Sequence, residues 1–233
     1  MSGLRTGGAR PRVAIVDYEM GNLFSVARAC EAGGMVPHLA PTPDLVRDAD
    51  AVILPGVGGM PHAMTVLRAT GLADAILEAA DRSTPMLAVC LGMQLLMARG
   101  TENSEHEGLG LVAGDVVRFD GHDATGTRLR VPHIGWNTVT RTGAAAGREA
   151  DLLGAVPDGT HFYFVHSYYV RPTDASVIAG LTSYGDVTFC SALVSGNVMA
   201  CQFHPERSGP RGLQVYSAFG RAVAAGRTMQ VND

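Results

Sequence analysis

The sequence predicts an α/β fold with a mostly parallel central sheet, and two observations carry this prediction. From Arg12 to Arg99, short apolar runs alternate with segments of helical periodicity, which is typical of parallel strands joined by crossover helices. The first run, 13–16, is apolar throughout, which indicates a central strand buried on both faces. After Arg99, short β-like runs separated by Gly, Asp and Pro turns predict antiparallel strands that extend this sheet or form a small second one.

The limits of the predicted elements follow from the apolar runs and the turn residues between them. A glycine pair at 33–34 ends the first helix, and turn-rich residues at 41–44 follow the second strand. The predicted strands of the first part are 12–17, 35–40, 51–54 and 85–90, with helical segments over 23–33 and 60–80. In the second part, β-like runs cover 112–119, 128–139, 160–170, 177–183, 187–194 and 197–203, a small-residue loop spans 142–147, and a final helix covers 210–225.

Length and composition are those of a globular protein with one full core. The chain has 233 residues and a net charge of −4, which provides no basic excess for binding a nucleic-acid backbone. Its four cysteines form no CxxC pair, no secretory signal precedes the first strand, and no apolar run approaches the roughly 20 residues that span a bilayer. We therefore expect a cytoplasmic protein with no membrane or nucleic-acid partner, and a single domain over 12–233 behind a mobile tail at 1–11.

A candidate nucleophile, Cys90, lies where the fourth predicted strand passes into a helix-like segment. The apolar run ends at this cysteine and continues through Gly92, the layout of a nucleophile elbow, in which a sharp turn presents a reactive side chain. The helix N-terminus favours the thiolate over the thiol, which is only a few per cent ionised at neutral pH when unperturbed. Gln94 follows one helical turn later on the same face and could contact whatever the sulfur attacks. A buried structural cysteine is the alternative, because most free cysteines are of that kind.

The glycine-rich loop 55–59 follows the third predicted strand and meets the elbow at the carboxyl edge of the sheet. It lacks the GxGxxG and GxxxxGK[ST] spacings, so it does not predict a nucleotide site. Its glycines are compatible with a simple tight turn or with backbone N–H groups turned toward a negatively charged oxygen. The loop alone does not decide between these two.

A histidine and a carboxylate, His204 and Glu206, follow the last predicted strand. A glutamate at this spacing can hold an imidazole in one tautomer and stabilise its cation, and Pro205 stiffens the link between them. Together with Cys90 they supply nucleophile, base and orienting acid, provided that the fold brings the two strand ends together. Cys201 and His204 have a CxxH spacing, but no second pair accompanies them, so a metal site is not expected.

These motifs resemble those of a known family. The CLGMQ segment at 90–94, taken with the HPE segment at 204–206, is similar to the triad of class I glutamine amidotransferases. The resemblance implies a flavodoxin-like three-layer α/β fold and a triad that hydrolyses glutamine to glutamate and ammonia through a γ-glutamyl thioester. Cys90 would be the nucleophile, His204 the base and acid, and Glu206 the residue that orients the histidine. No cofactor is implied.

Further stretches resemble the glutaminase subunits of imidazole glycerol phosphate synthase, from histidine biosynthesis. They are DY at 17–18, GNL at 21–23, PGVG at 55–58, VPHIGWN at 131–137, YFVHSYY at 163–169 and QFHPERSG at 202–209. This resemblance implies a heterodimer with a (β/α)8-barrel cyclase, which receives the ammonia, makes imidazole glycerol phosphate and aminoimidazole carboxamide ribotide, and activates the glutaminase allosterically. Two positions depart from the family: Ala88 replaces a glycine and Arg207 a lysine, and neither change removes a catalytic group.

The same resemblance assigns the oxyanion and substrate contacts. Backbone donors for the oxyanion would come from the loop after the third strand and from the residue after Cys90, and we hypothesise that the Val57 peptide is the donor whose orientation gates activity. His166 has an alternative role as a packed, hydrogen-bonded histidine. The residues expected to bind the oxyanion or the amino-acid end of glutamine are Gly56, Val57, Gly58, Leu91, Gln94, His166, Ser167 and Tyr168.

Four residues are candidates for the interface with the cyclase barrel. Large aromatic side chains often anchor such surfaces, and Trp136 is the only tryptophan of the chain. Core packing is the alternative role for this tryptophan. The four candidates are Asn22, Trp136, Tyr163 and Arg207.

Other functions remain open on sequence alone. The chain could serve another triad amidotransferase, such as those of anthranilate or pyridoxal phosphate synthesis, which a test of partner subunits would distinguish. It could be a binding protein that has lost the reaction, which a cysteine-directed glutamine analogue would reveal, or a hydrolase of γ-glutamyl peptides. The complete triad and the GWN and HSY motifs favour the histidine-pathway glutaminase.

Overall fold

The computed structural model describes residues 10–123, 125–143 and 151–230. These residues form one mixed sheet of 13 strands with helices on both of its faces. Most of the tail predicted at 1–11, and part of the loop predicted at 142–147, lie outside the described residues.

Helices and strands alternate in the first part of the chain, and strands dominate the second. The helices are α1 (Leu23–Ala32), α2 (Pro43–Arg47), α3 (Met60–Ala69), α4 (Leu72–Asp81), α5 (Leu91–Leu95) and α6 (Gly209–Gln230). The strands are β1 (Arg12–Val16), β2 (Val36–Ala40), β3 (Ala51–Leu54), β4 (Met86–Val89), β5 (Met97–Gly100), β6 (His106–Glu107), β7 (Val112–Arg118), β8 (His133–Arg141), β9 (Thr160–His166), β10 (Tyr168–Pro172), β11 (Ile178–Tyr184), β12 (Val187–Ser195) and β13 (Val198–Cys201).

One half of the sheet consists of five parallel strands in the order β2-β1-β3-β4-β13. Strands β3, β4 and β13 are buried along their whole length, which explains why their sequences are continuous apolar runs. In the pairing of β4 with β13, Cys201 lies opposite Val89. This register brings the residues that follow the two strands to the same place at the edge of the sheet.

The other half is largely antiparallel and continues the same sheet. Strands β12, β10, β7, β5 and β6 follow β13 in order, and β11, β8 and β9 branch from β12. The structure therefore has the first of the two predicted arrangements, an extension of the sheet. The branch ends in the β8–β9 pair, in which His133 lies opposite His166.

Several predicted elements were wrong in their limits. The single run 160–170 is two strands, because the chain changes partner at Ser167, from β8 to β7 and β12. The run 128–139 becomes a strand only at His133, after Pro132, which has no N–H to donate to a ladder. The helical stretch 60–80 is broken at Gly71, whose φ of 74° is left-handed. Strand β5 was not predicted, because the elbow helix before it ends at Leu95.

Buried side chains form two apolar layers, one on each face of the sheet. Along β1, Ala14 and Val16 belong to one layer and Val13 and Ile15 to the other, as the alternation of a strand requires. Residues of α3 and α4 complete the first layer, and residues of α1 and α6 complete the second. This is the predicted three-layer α/β arrangement. Within the described residues, no helix is both long and apolar enough to cross a membrane.

Candidate active site

Three loops meet at the carboxyl ends of the parallel strands, the edge at which α/β sheets bind ligands. The glycine-rich loop follows β3, Cys90 follows β4, and His204 follows β13 after a short link. The backbone N–H of Cys90 donates to the carbonyl of Cys201 at 2.8 Å, so the first residue after β4 is tied to the last residue of β13. The fold thus brings together the cysteine and the histidine, which lie far apart in the sequence.

Cys90 adopts the strained turn that an elbow requires. Its φ of 55° and ψ of −109° lie outside the usual regions for a residue with a side chain, and such a conformation costs about 1–3 kcal/mol. The helix that follows approaches β3 closely, since a Cβ atom at Gly92 would collide with the carbonyl oxygen of Leu54. Ala88, the departure from the family glycine, is fully buried in β4, so its methyl group is accommodated there.

His204 is held by Glu206 in a buried pair. Oε1 of Glu206 lies 2.8 Å from Nδ1 of His204, and their side chains are 3% and 5% exposed. Burial alone lowers the pKa of His204, but the charge of Cys90, hydrogen bonding to Cys90 and Glu206, and the Glu206 charge together raise it to about 10. Within the described structure, Nε2 of His204 makes no hydrogen bond of normal geometry, either to Cys90 or to any other group. The imidazole can therefore take the thiol proton and hold it as an imidazolium beside a thiolate.

The Cys90 sulfur also contacts groups that the sequence did not single out. It lies 3.9 Å from the carbonyl oxygen of Val165 and 3.7 Å from Nε2 of Gln202, which is completely buried. Nε2 of Gln94 donates to Oε1 of Gln202 and to the carbonyl of Tyr168, each at 3.1 Å. Because both N–H groups of Gln94 are occupied, its Oε1 is the atom left for a ligand.

A cavity of about 420 Å³ opens beside the sulfur. Most of the predicted catalytic and substrate-binding residues line it, together with the interface candidate Arg207, whereas Gly56, His204 and Glu206 do not. The predicted residues that do so are Val57, Gly58, Cys90, Leu91, Gln94, His166, Ser167, Tyr168 and Arg207.

The glycine-rich loop is packed against its neighbours through positions that allow no side chain. A Cβ atom at Gly56 would overlap the hydroxyl of Tyr18, which donates to the carbonyl of Pro55 at 2.7 Å. Gly58 has a φ of 98°, which strains any other residue, and a Cβ there would lie 2.8 Å from Cε of Met20. The loop is thus set by close backbone approaches, and Val57 between the two glycines is 44% exposed at the cavity.

His166 is packed and hydrogen-bonded as well as lining the cavity. Its Nδ1 lies 2.8 Å from the carbonyl oxygen of Tyr168, and its Nε2 lies 3.0 Å from Nδ1 of His133. Burial lowers the pKa of His166 to about 3 and that of His133 to about 4, so both rings are neutral at neutral pH. Both ring nitrogens of His166 are engaged within the chain, which matches the structural alternative for this residue.

The four candidate interface residues lie outside the core. Trp136 is 57% exposed, which excludes the core-packing alternative, and its ring meets that of Tyr163 edge-on at 6.3 Å. The guanidinium of Arg207 lies 4.9 Å from the centre of the Tyr163 ring. Asn22 caps α1 by accepting a hydrogen bond from the N–H of Ser25 at 3.3 Å.

Sequence reasoning missed three residues that line the cavity, Glu102, Pro132 and Val165. Glu102 accepts a hydrogen bond from the N–H of Met60 at 2.8 Å and so caps α3. No local motif marks it, since it reaches the cavity only because β5 carries the chain back past the glycine-rich loop. In the described ranges, no group of three or more His, Cys, Asp or Glu side chains could hold a metal ion.

Comparison with known proteins gives a family and close relatives. Residues 14–221 match the family described as "Glutamine amidotransferase class-I". A protein of Syntrophotalea carbinolica named "Imidazole glycerol phosphate synthase subunit HisH" is 43% identical over 209 residues, which are 89% of this chain and 98% of that protein. A protein of the same name from Rhodopirellula baltica is 43% identical over 90% of this chain and 97% of its own length.

Solved structures show the same fold at low sequence identity. PurLQS from Thermotoga maritima matches with a TM-score of 0.67 at 19% identity, over 90% of this chain and 97% of that one. The glutaminase domain of CTPS from Trypanosoma brucei matches with a TM-score of 0.60 at 17% identity, over 92% of this chain and 94% of that one. These likenesses support the three-layer fold.

Proposed function

The chain belongs to the glutamine amidotransferase class-I family, and we propose that it is the glutaminase subunit of an imidazole glycerol phosphate synthase. The observation that carries the proposal is the placement of Cys90, on a strained turn, beside the buried pair of His204 and Glu206. The 43% identity to proteins with that name supports the pathway.

In the proposed reaction Cys90 is the nucleophile, His204 accepts and donates protons, and Glu206 orients His204. His204 takes the proton of Cys90, and the thiolate attacks the side-chain carbonyl carbon of glutamine. The tetrahedral intermediate collapses when the carbon–nitrogen bond breaks and the imidazolium gives its proton to the departing ammonia. Water, deprotonated by His204, then cleaves the thioester to release glutamate and restore the thiol. Glu206 keeps Nε2 of the imidazole directed at these protons by holding Nδ1.

Charged side chains at the cavity fit the zwitterionic end of a free amino acid. Glu102 carries a carboxylate and Arg207 a guanidinium, and both line the cavity that contains the sulfur. They complement an α-ammonium and an α-carboxylate respectively, a charge pattern that a glutamine within a polypeptide, whose α-groups are tied up in amide bonds, would not satisfy. Oxygen Oε1 of Gln94 is available for an N–H of the same ligand. The cavity therefore favours free glutamine over glutamine within a polypeptide.

We propose that the exposed apolar residues around this edge dock the cyclase barrel. Trp136 and Ile134 on β8 are 57% and 54% exposed, and Val57 is exposed at the cavity itself. A subunit seated there would cover the cavity and keep ammonia from bulk water, where protonation would make it a poor nucleophile. In Trp136→Ala we expect affinity for the barrel to fall at least about tenfold. Leu213→Ala, an exposed apolar residue on α6, is the matched control.

Two further expectations belong to the same proposal. Residues 12–233 act as one domain without a cofactor, and the pathway places the protein in the cytoplasm.

The decisive experiment measures glutamate released from glutamine by the purified chain. It is run with the chain alone, with a candidate cyclase barrel, and with the barrel and its nucleotide ligand; Cys90→Ser is the blank. We expect low release that rises only with barrel and ligand and disappears in Cys90→Ser. Glutamate release that does not change when the barrel is added would indicate that the chain serves another amidotransferase. No glutamate release under any condition would refute the proposed glutaminase activity.

A further inference from the structure

A run of hydrogen bonds begins on the exposed strand β8 and leads into the site. Nδ2 of Asn137 lies 3.3 Å from Nε2 of His133, whose Nδ1 lies 3.0 Å from Nε2 of His166. Nδ1 of His166 then lies 2.8 Å from the carbonyl oxygen of Tyr168. These contacts cross from β8 through β9 to the first residue of β10.

The run continues from the Tyr168 carbonyl to the sulfur. Gln94 donates through Nε2 to that carbonyl and to Oε1 of Gln202, each at 3.1 Å. Nε2 of Gln202 in turn donates to the sulfur of Cys90 at 3.7 Å. Each of the side chains between Asn137 and Cys90 in this run therefore has a hydrogen-bond partner on both sides.

The chemistry of the groups sets the direction of each hydrogen bond. Oδ1 of Asn137 accepts the N–H of Thr138 at 2.8 Å and Nδ2 donates to the carbonyl of Ser183 at 2.9 Å, so this amide can only donate to His133. The Tyr168 carbonyl can only accept. Each imidazole must therefore be neutral, with its proton on Nδ1 and its lone pair on Nε2.

Burial and packing hold both rings in that state. His133 stacks on Tyr184 with ring centres 4.1 Å apart, and Phe119 and Phe189 each lie 5.2 Å from the ring of His166. Such apolar surroundings disfavour the imidazolium, and burial lowers the pKa of both histidines. A protonated ring could not accept a hydrogen bond from its neighbour. The run of hydrogen bonds therefore requires that both imidazoles are neutral.

We propose that Gln202 is a positioning residue for the Cys90 thiolate, and that the His133–His166 pair acts on it through the Tyr168 carbonyl and Gln94. An amide N–H directed at the sulfur favours the thiolate over the thiol, because hydrogen bonds to a charged acceptor are stronger than those to a neutral one. The sulfur would then be poised between the donor of Gln202 and the imidazole of His204. The proposal builds on the proposed function, since it concerns the sulfur that is proposed there as the nucleophile.

The test compares rates of Cys90 alkylation by iodoacetamide at pH 7 and pH 10, followed by mass spectrometry of the Cys90 peptide in the intact chain. In Gln202→Glu, which replaces the donor by a charged acceptor, we expect the rate at pH 7 to fall about tenfold. In Gln202→Met, which removes the donor without adding charge, we expect a fall of about threefold. At pH 10 the rates should approach that of the unaltered chain, because alkaline solution favours thiolates whether or not a donor faces the sulfur.

The matched control is Gln214→Glu on α6, which adds the same charge near Arg211. If both Gln202 variants alkylate like this control at both pH values, the proposal is overturned. The probe is not glutamine, so a chain that alkylates as expected but releases no glutamate would refute the proposed function and leave this inference standing.

A second pair of variants decides the matter if the Gln202 variants do not fold. His133→Phe keeps a flat ring between Tyr184 and Phe164 but removes the donor to His166. We expect its ratio of alkylation rates, pH 7 over pH 10, to fall about twofold. His161→Phe, an exposed histidine on β9, is the control. Equal ratios in these two variants would overturn the proposed role of the histidine pair.

Discussion

In the parallel half of the sheet the sulfur proposed as the nucleophile is placed by backbone geometry, whereas in the antiparallel half its surroundings are held by side-chain hydrogen bonds. Cys90 owes its position to a left-handed turn and to a backbone hydrogen bond between two strand ends. The carbonyl of Tyr168, by contrast, is connected by hydrogen bonds to two buried imidazoles and, through them, to the side-chain amide of Asn137. Changes in the first region should therefore act through strain, and changes in the second through protonation and lost donors.

The largest expected effect comes from straining the glycine-rich loop. In Gly58→Val we expect kcat for glutamine to fall about 10²-fold or more, because a β-branched residue at a φ of 98° would displace the Val57 peptide proposed as oxyanion donor. Steady-state glutaminase kinetics in the presence of the proposed cyclase barrel measure this effect.

The control for that variant is Gly110→Val. Gly110 also has a left-handed φ, of 70°, but no atom lies within 4 Å of its Cβ position, and it does not line the cavity. It should lose stability through strain while keeping its turnover. Unchanged turnover in Gly58→Val would show that the glycine-rich loop does not supply the oxyanion donor.

The next effect in size is on folding. In Gly92→Ala the new methyl group collides with the carbonyl oxygen of Leu54, a backbone atom that cannot move without shifting β3. We expect the free energy of unfolding, measured by urea denaturation, to fall by about 3 kcal/mol. Gly121→Ala, where nothing lies near the new Cβ, should change it by less than about 1 kcal/mol. Equal stabilities in the two variants would show that the elbow is not set by this close approach.

The same contrast explains how much the sequence could predict. In the parallel half, buried strands are continuous apolar runs, so β3 was predicted with its observed limits and β1 to within one residue. The elbow and the His204–Glu206 pair follow from short local motifs at the ends of such strands. Their positions could therefore be inferred before the fold was known.

In the antiparallel half, a strand ends where the chain changes from one neighbouring strand to another. Such a change leaves little trace in the local sequence pattern. The break at Ser167 separates a strand that pairs with β8 from one that pairs with β7, although the sequence there is uniformly β-like. Glu102 and Gln202 join the site only through contacts with distant segments. The roles proposed for His133 and His166 likewise depend on a pairing register that no local pattern encodes.

The smallest expected effect concerns the dependence of stability on pH, where the two regions have opposite signs. Burial lowers the pKa of His166 to about 3, whereas an unfolded histidine titrates near about 6.5. The unfolded chain therefore binds the extra proton between these values, and this group makes stability rise with pH across that window. His204, whose pKa is raised to about 10 despite its burial, does the reverse: its contribution is present below about pH 6.5 and is lost as the pH rises toward 10.

Replacing His166 should therefore flatten only the acid side of the stability curve. In His166→Phe, we expect the rise in the free energy of unfolding between about pH 4 and 6 to be smaller by up to about 1.4 kcal/mol per pH unit. The change between pH 7 and 9 should persist, because His204 and its partners Cys90 and Glu206 are untouched. His161→Phe controls for the loss of a histidine from the same strand. If the acid slope of His166→Phe equals that of this control, His166 is not neutral in the folded protein, and the hydrogen-bonded link from β8 to Tyr168 fails with it.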